Sequence, residues 1–235
     1  MKRLYTAISA VVAALIMWAC GPAEQGYTME YELQGLYTVN KSRVEPEFSD
    51  TFLFMRNIDS FDLETGDRAF LLLHYYFDAY SGVAPQWDIR QVLKKVPIYP
   101  LSSMDDVNAK EYSSPIIGFQ PVNFFNEYEA RTWVWKDKQN INIKYKGVEE
   151  DASFALAVRG VKDSCVVLEL FVNAKESDEL ATTLLTFDIS NIKDFLSDDE
   201  KALLSDSIKT KIYYKRMNNG ELKGDEFDGN HIVYF

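Results

Sequence analysis

Histidine and cysteine are nearly missing from this sequence, with two of each among 235 residues. A structural zinc site wants several such ligands at close spacing, and a triad-type nucleophile wants a histidine base, so both chemistries lose most of their candidates. His74 stands between Leu73 and Tyr75 in an apolar run, the setting of a hydrogen-bonded core or edge histidine, and His231 opens the final strand-like stretch. Phosphate-cradling glycine loops are absent. Asp59, Asp62, Glu64 and Asp67 cluster without the spacing of a calcium loop, and read instead as a turn leading into a strand. Basic residues are also scarce: 25 Lys and Arg face 36 Asp and Glu, a net charge of -11. Such a surface repels nucleic acid and anionic lipid headgroups. No apolar run reaches the length of about 20 residues that a bilayer-spanning helix needs.

What is present begins with an export signal. Lys2 and Arg3 precede an apolar stretch from Tyr5 to Ala19, which stops at Cys20 and is followed by Gly21 and Pro22. The order Met17-Trp18-Ala19-Cys20 predicts a signal peptide over 1–19 and a lipid attachment, palmitate included, at Cys20, although Trp18 is bulkier than the small residue usual there. A plain secretory signal with an incidental cysteine is the alternative. With Cys20 acylated, membrane association comes from the chains and not from charge, and two or more chains give stable anchoring. The implied location is the cell envelope, on the periplasmic face or the outer-membrane surface. Cys165 is then the only cysteine left and has no internal disulfide partner. The fold must rest on burial, for which 47% hydrophobic and 14% aromatic residues suffice.

Period-two patterns dominate the rest. After a tether over 20–29, Tyr27, Met29, Tyr31 and Leu33 share one face of a strand. Further strands are predicted at Thr51–Met55, Ala69–Phe77 and Trp87–Tyr99. These make a small OB-like barrel over 30–100. Residues 101–114, polar and bounded by Pro100 and Pro115, read as a linker. Over 115–235 the strand patterns at Arg131–Trp135, Asn140–Tyr145, Ser153–Val158, Ser164–Val172, Thr182–Ile189, Lys209–Tyr214 and His231–Phe235 predict a β-sandwich. Its turns fall at Lys146-Gly147, Arg159-Gly160 and Asn219-Gly220. One short helix starts at Ser197, where Ser197-Asp-Asp-Glu200 has capping-box spacing. The fold class is mainly β: a small barrel followed by a sandwich with one short helix.

The order of these segments carries a resemblance. An export signal ending in cysteine is followed by Leu63-Glu-Thr-Gly-Asp-Arg-Ala-Phe-Leu-Leu, then Ile89-Arg-Gln-Val-Leu-Lys-Lys-Val-Pro, then Trp135-Lys-Asp-Lys-Gln-Asn-Ile-Asn-Ile-Lys-Tyr, then Leu185-Thr-Phe-Asp-Ile. Together they resemble the NigD-like lipoproteins of Bacteroidetes over nearly the whole mature chain. The resemblance implies an OB-type barrel joined to a C-terminal β-sandwich, in an envelope lipoprotein with no catalytic residues to carry across. The first strand around Gly35 is only weakly marked.

No catalytic, cofactor-binding or metal-ligating residue is therefore assigned. Cys165, in Ser164-Cys-Val-Val-Leu-Glu-Leu-Phe-Val, reads as a thiol buried in the sheet core. Tyr75, Tyr76, Tyr80 and Trp87 could stack on a sugar, pack a peptide, or simply fill a core. Two functions follow. The first is a non-catalytic envelope lipoprotein that binds a protein or glycan partner. The second is a carboxylate-dependent hydrolase of envelope polymers, which requires two acids facing one cleft, one of them desolvated.

Overall fold

A computed structural model describes residues 27–234 apart from 48, 50, 81–83, 109–111, 113, 125–127, 176, 205–206 and 219–220. The signal segment and Cys20 lie outside the described residues. The strands are β1 (Thr28–Asn40), β2 (Arg43–Pro46), β3 (Leu53–Phe54), β4 (Arg68–Asp78), β5 (Gln86–Val96), β6 (Ile98–Pro100), β7 (Ile116–Phe119), β8 (Val122–Phe124), β9 (Tyr128–Ala130), β10 (Thr132–Trp135), β11 (Lys138–Lys146), β12 (Ser153–Lys162), β13 (Cys165–Asn173), β14 (Leu180–Asp188), β15 (Ser207–Asn218) and β16 (Glu221–Tyr234). Two short helices, α1 (Met104–Asn108) and α2 (Asp198–Ala202), join them. No helix among the described residues is long and apolar enough to cross a membrane.

The first sheet is antiparallel, in the order β3-β2-β1-β4-β5. Alternation sends Tyr37 and Val39 of β1 and Ala69, Leu71 and Leu73 of β4 to one face, where they form a core with Val44 and Ile89. The sheet curls around that core until its outer edges touch. Met55 and Trp87 form a single bridge, and the Asn57 side chain both donates to the Ile89 carbonyl at 2.9 Å and accepts from its N–H at 2.8 Å. No ladder closes the curl among the described residues. The barrel predicted over 30–100 is thus an open, strongly curled sheet, because β3 is too short to pair with β5 along its length.

Pro97 breaks the strand predicted over Trp87–Tyr99. It lacks the N–H that a continuing ladder needs, and beyond it β6 leaves the first sheet and pairs in parallel with β14. The sandwich consists of a sheet ordered β10-β11-β14-β6, with β7 also on β11, facing a sheet ordered β12-β13-β15-β16. Between them, Ile141, Ile143, Leu185 and Phe187 meet Leu156, Val166, Leu168, Leu170, Ile208 and Ile212. The chain therefore enters the sandwich at Pro97, ahead of the segment 101–114. There Leu101 is buried in the sandwich core, Ser103 Oγ accepts from Asp106 N–H at 3.0 Å to cap α1, and Val107 packs on Ala155, Ala157 and Phe171.

Local signals fared unevenly. Ser197 forms the capping box with Glu200 as its spacing predicts, and it starts α2. Arg159-Gly160 is not a turn: it is a bulge inside β12, where the register with β13 skips and Gly160 takes φ +130°. The hairpin turn is Asp163-Ser164, both at positive φ, as a two-residue turn between right-twisted strands requires. Asn219-Gly220 lies outside the described residues. A second helix, α1, joins the one predicted.

Candidate functional site

The strand face that begins β1 continues outward from the core of the first sheet. β1 and β4 pair in unbroken register from Thr28↔Asp78 to Thr38↔Arg68, so Met29 lies opposite Phe77, Tyr31 opposite Tyr75 and Leu33 opposite Leu73. β5 then sets Trp87 opposite Tyr75. The rings of Tyr31 and Tyr75 stack at 4.7 Å, Trp87 lies 4.8 Å from Tyr75 and 5.9 Å from Tyr31, and Tyr27 meets Phe77 edge-on at 5.8 Å. Tyr37 and Val39, deeper along the same face, are buried, whereas Tyr31 is 43% exposed, Tyr27 37% and Met29 36%. The result is an aromatic platform at the mouth of the curled sheet. Burial raises the pKa of the Tyr31 phenol, with Tyr75 adding to it, and burial does the same to Tyr75. These phenols stay neutral hydrogen-bonding groups at physiological pH. Of the aromatics predicted to stack, Tyr75 and Trp87 belong to this platform, Tyr76 sits on the opposite face, opposite Glu30, and Tyr80 stands exposed in the turn after β4. Tyr31 is the ring that completes the cluster. The alternation in β1 placed it on a strand face, but its contacts depend on register.

On the convex side of the first sheet, His74 is buried on the interior strand β4 and its Nε2 lies 2.6 Å from Glu30 Oε1, a hydrogen-bonded histidine of the core-or-edge kind that its apolar neighbours predicted. Asp88 on β5 accepts from Arg56 Nε at 3.0 Å. His231 lies in β16, paired with Thr210. Asp67 accepts from Glu64 N–H at 2.9 Å, and Lys95 reaches Asp62 and Asp67, so the acidic cluster is a turn into β4. Among the described residues, no group of three or more His, Cys, Asp or Glu is placed to hold a metal ion.

A hydrolase of this kind needs two acids at one cleft, and the outer face of β12, β13 and β15 carries a cleft with acids beside it. An open depression of ≈ 400 Å³ is lined by Arg159, Gly160, Val161, Lys162, Val167, Glu200 and Tyr213. Beside it Glu169 is buried, and burial raises its pKa while Arg159 and Lys215 pull it down. Arg159 covers this carboxylate at 3.4 Å and lies 4.4 Å from the centre of the Tyr213 ring. Glu200, the acid that lines the depression, is committed elsewhere: it accepts from Ser197 N–H and Oγ at 2.9 and 2.8 Å and from Val161 N–H at 3.2 Å. One acid is thus capped by a guanidinium and the other is consumed by a helix cap and a bulge, an arrangement that does not present two carboxyl groups to one bond. Cys165 is buried, but it points away from the core of the sandwich. Val166, Leu168 and Leu170 occupy that core, and Cys165 shares the outer side of β13 with Val167 and Glu169.

A curled antiparallel sheet leading into a two-sheet sandwich defines a mainly-β fold. Solved structures with this fold include a protein of unknown function (DUF1344) from Bacteroides vulgatus, 17% identical, with a TM-score of 0.55 over 84% of this chain and 90% of that one. A candidate lipoprotein from Bacteroides fragilis is 10% identical, with a TM-score of 0.57 over 88% and 98%. A NigD-like immunity protein from Bacteroides caccae is 11% identical, with a TM-score of 0.50 over 84% and 96%. No family model and no curated protein matches the chain.

Proposed function

We propose that this chain is a non-catalytic lipoprotein of the cell envelope, acylated at Cys20, whose OB-type first sheet binds a partner on the platform of Tyr31, Tyr75 and Trp87. The observation that carries the reading is the platform itself. Three mutually touching rings, backed by a packed core and partly open to solvent, form a contact surface of the kind that aromatic side chains dominate in binding sites. The two acids at the depression, Glu169 and Glu200, are engaged by their own neighbours, which favours binding over catalysis. Thr28 follows Cys20 by eight residues, a length that spans at most about 29 Å when extended. An acylated Cys20 would hold the aromatic end of β1 near the membrane, where a partner of the envelope meets it.

Two measurements test this. Mass spectrometry of protein purified from its native membrane should find an acylated cysteine at the mature start, lost in Cys20→Ala. A photo-crosslinking residue at Met29 should trap a discrete neighbour in intact cells, and Tyr31→Ala should abolish the adduct. A neighbour that survives Tyr31→Ala would remove the platform from the reading.

A further inference from the structure

We infer that the open edge of β1 beside this platform is a docking site for an extended polypeptide segment whose side chains alternate between apolar and basic. This rests on the platform reading and deepens it. β4 pairs with β1 from Thr28 to Thr38, whereas β2 pairs with it only from Tyr37 to Asn40. Among the described residues, Thr28–Gly35 therefore carries a ladder on one side only. Two bonds fix which groups face the open side. The Ala79 N–H donates to the Tyr27 carbonyl at 3.0 Å on the β4 side, and the Glu47 N–H donates to the Leu36 carbonyl at 3.2 Å on the β2 side. Alternate residues of a strand direct their main-chain groups to opposite edges. Thr28, Glu30, Glu32 and Gln34 thus send N–H and C=O to the open edge, and Tyr27, Met29, Tyr31 and Leu33 send theirs to β4.

Natural sheets blunt such edges with proline, charged side chains (lysine above all), a bulge or a cover. This stretch has no proline or lysine and its register with β4 runs without a bulge; its charges, Glu30 and Glu32, are of one sign and on one face, so they repel an acidic strand and admit a basic one. A strand added here would alternate its side chains like any other. Those on the concave side would meet Met29, Tyr31 and the platform, and those on the convex side would meet Glu32 and, beside its bond to His74, Glu30, both exposed residues of β1. Apolar residues fit the first position and lysine or arginine the second, so the main chain supplies affinity and the alternation supplies specificity. A glycan has no matching row of donors and acceptors. A second copy paired antiparallel about Tyr31 would set Glu30 opposite Glu32 twice over, where like charges destabilise a pairing.

Calorimetric titration of the intact mature protein with a soluble peptide alternating valine and lysine over about eight residues tests the idea. Saturable binding is expected, weakened on the order of tenfold when alternate peptide nitrogens are methylated, because methylation deletes edge donors and leaves the side chains alone. Glu32→Pro removes one N–H from the open edge and spares the ladder with β4. It should weaken binding to a similar degree with an unchanged far-UV spectrum, and Glu32→Lys should shift preference to a valine–glutamate peptide. No binding of the plain peptide, or equal binding of the methylated one, overturns the proposal whether or not the variants fold. So does concentration-dependent dimerisation that Glu32→Pro abolishes. A ligand lost in Tyr31→Ala and kept in Glu32→Pro, such as a soluble glycan or a phosphatidylcholine vesicle, overturns the edge and leaves the platform; a cellular neighbour kept in both variants overturns the platform.

Discussion

Arg68 and Glu47 form an ion pair at 2.7 Å in which each side chain is 1% exposed, at the seam where the first sheet meets the sandwich. Both belong to the first sheet or its connections, yet the sandwich completes their shell. Arg68 also donates to Asn140 Oδ1 at 2.9 Å, Trp133 Nε1 donates to Glu47 Oε2 at 2.9 Å, and Thr186 Oγ1 donates to the same Asn140 oxygen at 2.8 Å. Around this network Leu36 and Val96 pack against Ala130, Trp133 and Leu184. Burial works against both charges, raising the pKa of Glu47 and lowering that of Arg68. Each ion therefore depends on the other and on the sandwich groups that bond to it.

Arg68→Ala should cost about 3–5 kcal/mol, because it leaves a buried carboxylate without its cation. Arg68→Met combined with Glu47→Leu should recover part of that loss, since a packed apolar pair needs no counter-ion. Urea unfolding followed by tryptophan fluorescence should show one transition in the wild type, with the first sheet and the sandwich lost together. A loss below about 1 kcal/mol for Arg68→Ala would mean that water or a rearranged side chain replaces the missing charge.

The seam was illegible in the sequence for a physical reason: Arg68 and Asn140 are 72 residues apart, and a lone Arg before a strand looks like a solvated residue. What the sequence revealed was local and periodic. The alternation in β1, β4 and β13, and the Ser197–Glu200 spacing, are short-range signals that the packed chain preserves. β2 is illegible because Arg43-Val-Glu-Pro46 is four residues long with Val44 as its single strand former, and Arg159-Gly160 reads as a turn because glycine serves turns and bulges alike. The platform lay in between. Its residues stood on predicted strands, but the meeting of Tyr31, Tyr75 and Trp87 depends on two bulges in the β4–β5 register, between Phe70 and Leu71 and between Leu72 and Leu73.

Gly160→Ala should destabilise the protein by about 1–3 kcal/mol. The residue sits at φ +130°, and an added Cβ would come 2.5 Å from Glu200 Oε1. Since that oxygen also accepts from Val161 N–H, the substitution displaces the Glu200 carboxylate and breaks its bond to the bulge. Double-mutant analysis with Glu200→Ala checks this, because the clash, though not the backbone strain, should vanish when Glu200 is truncated.

Hydrogen bonds from Ser197, together with the one from Val161, hold the Glu200 carboxyl below its ordinary value of 4.5. A folded-state pKa lower than the unfolded one means that the unfolded chain binds the proton first. The contribution is then present above the unfolded pKa and is lost as pH falls through the folded pKa. Thermal unfolding at several pH values between about 7 and about 3 should show a steeper acid decline in the wild type than in Glu200→Gln. Parallel declines would indicate that the capping box does not depend on the charge. Ser197→Ala should cost about 1 kcal/mol at neutral pH through the lost cap.

Cys165 offers a probe of how the sandwich opens. Its residue exposure is 6%, and it pairs with Lys162 in β12 and Lys209 in β15, so a reagent must wait for those strands to part. Alkylation of the native protein near neutral pH should be slow and become fast on unfolding. When closing outpaces labelling, the native rate is the unfolded rate multiplied by the equilibrium constant for opening. Cys165→Ser should cost about 1–3 kcal/mol if its hydroxyl is buried there without a partner. The same rate also reports on the seam. If the sandwich opens only in global unfolding, Arg68→Ala should accelerate alkylation by the factor its stability loss predicts, although the two sites lie in different sheets. If β12 and β13 part locally, Arg68→Ala should leave the rate unchanged while Gly160→Ala, in β12 itself, raises it.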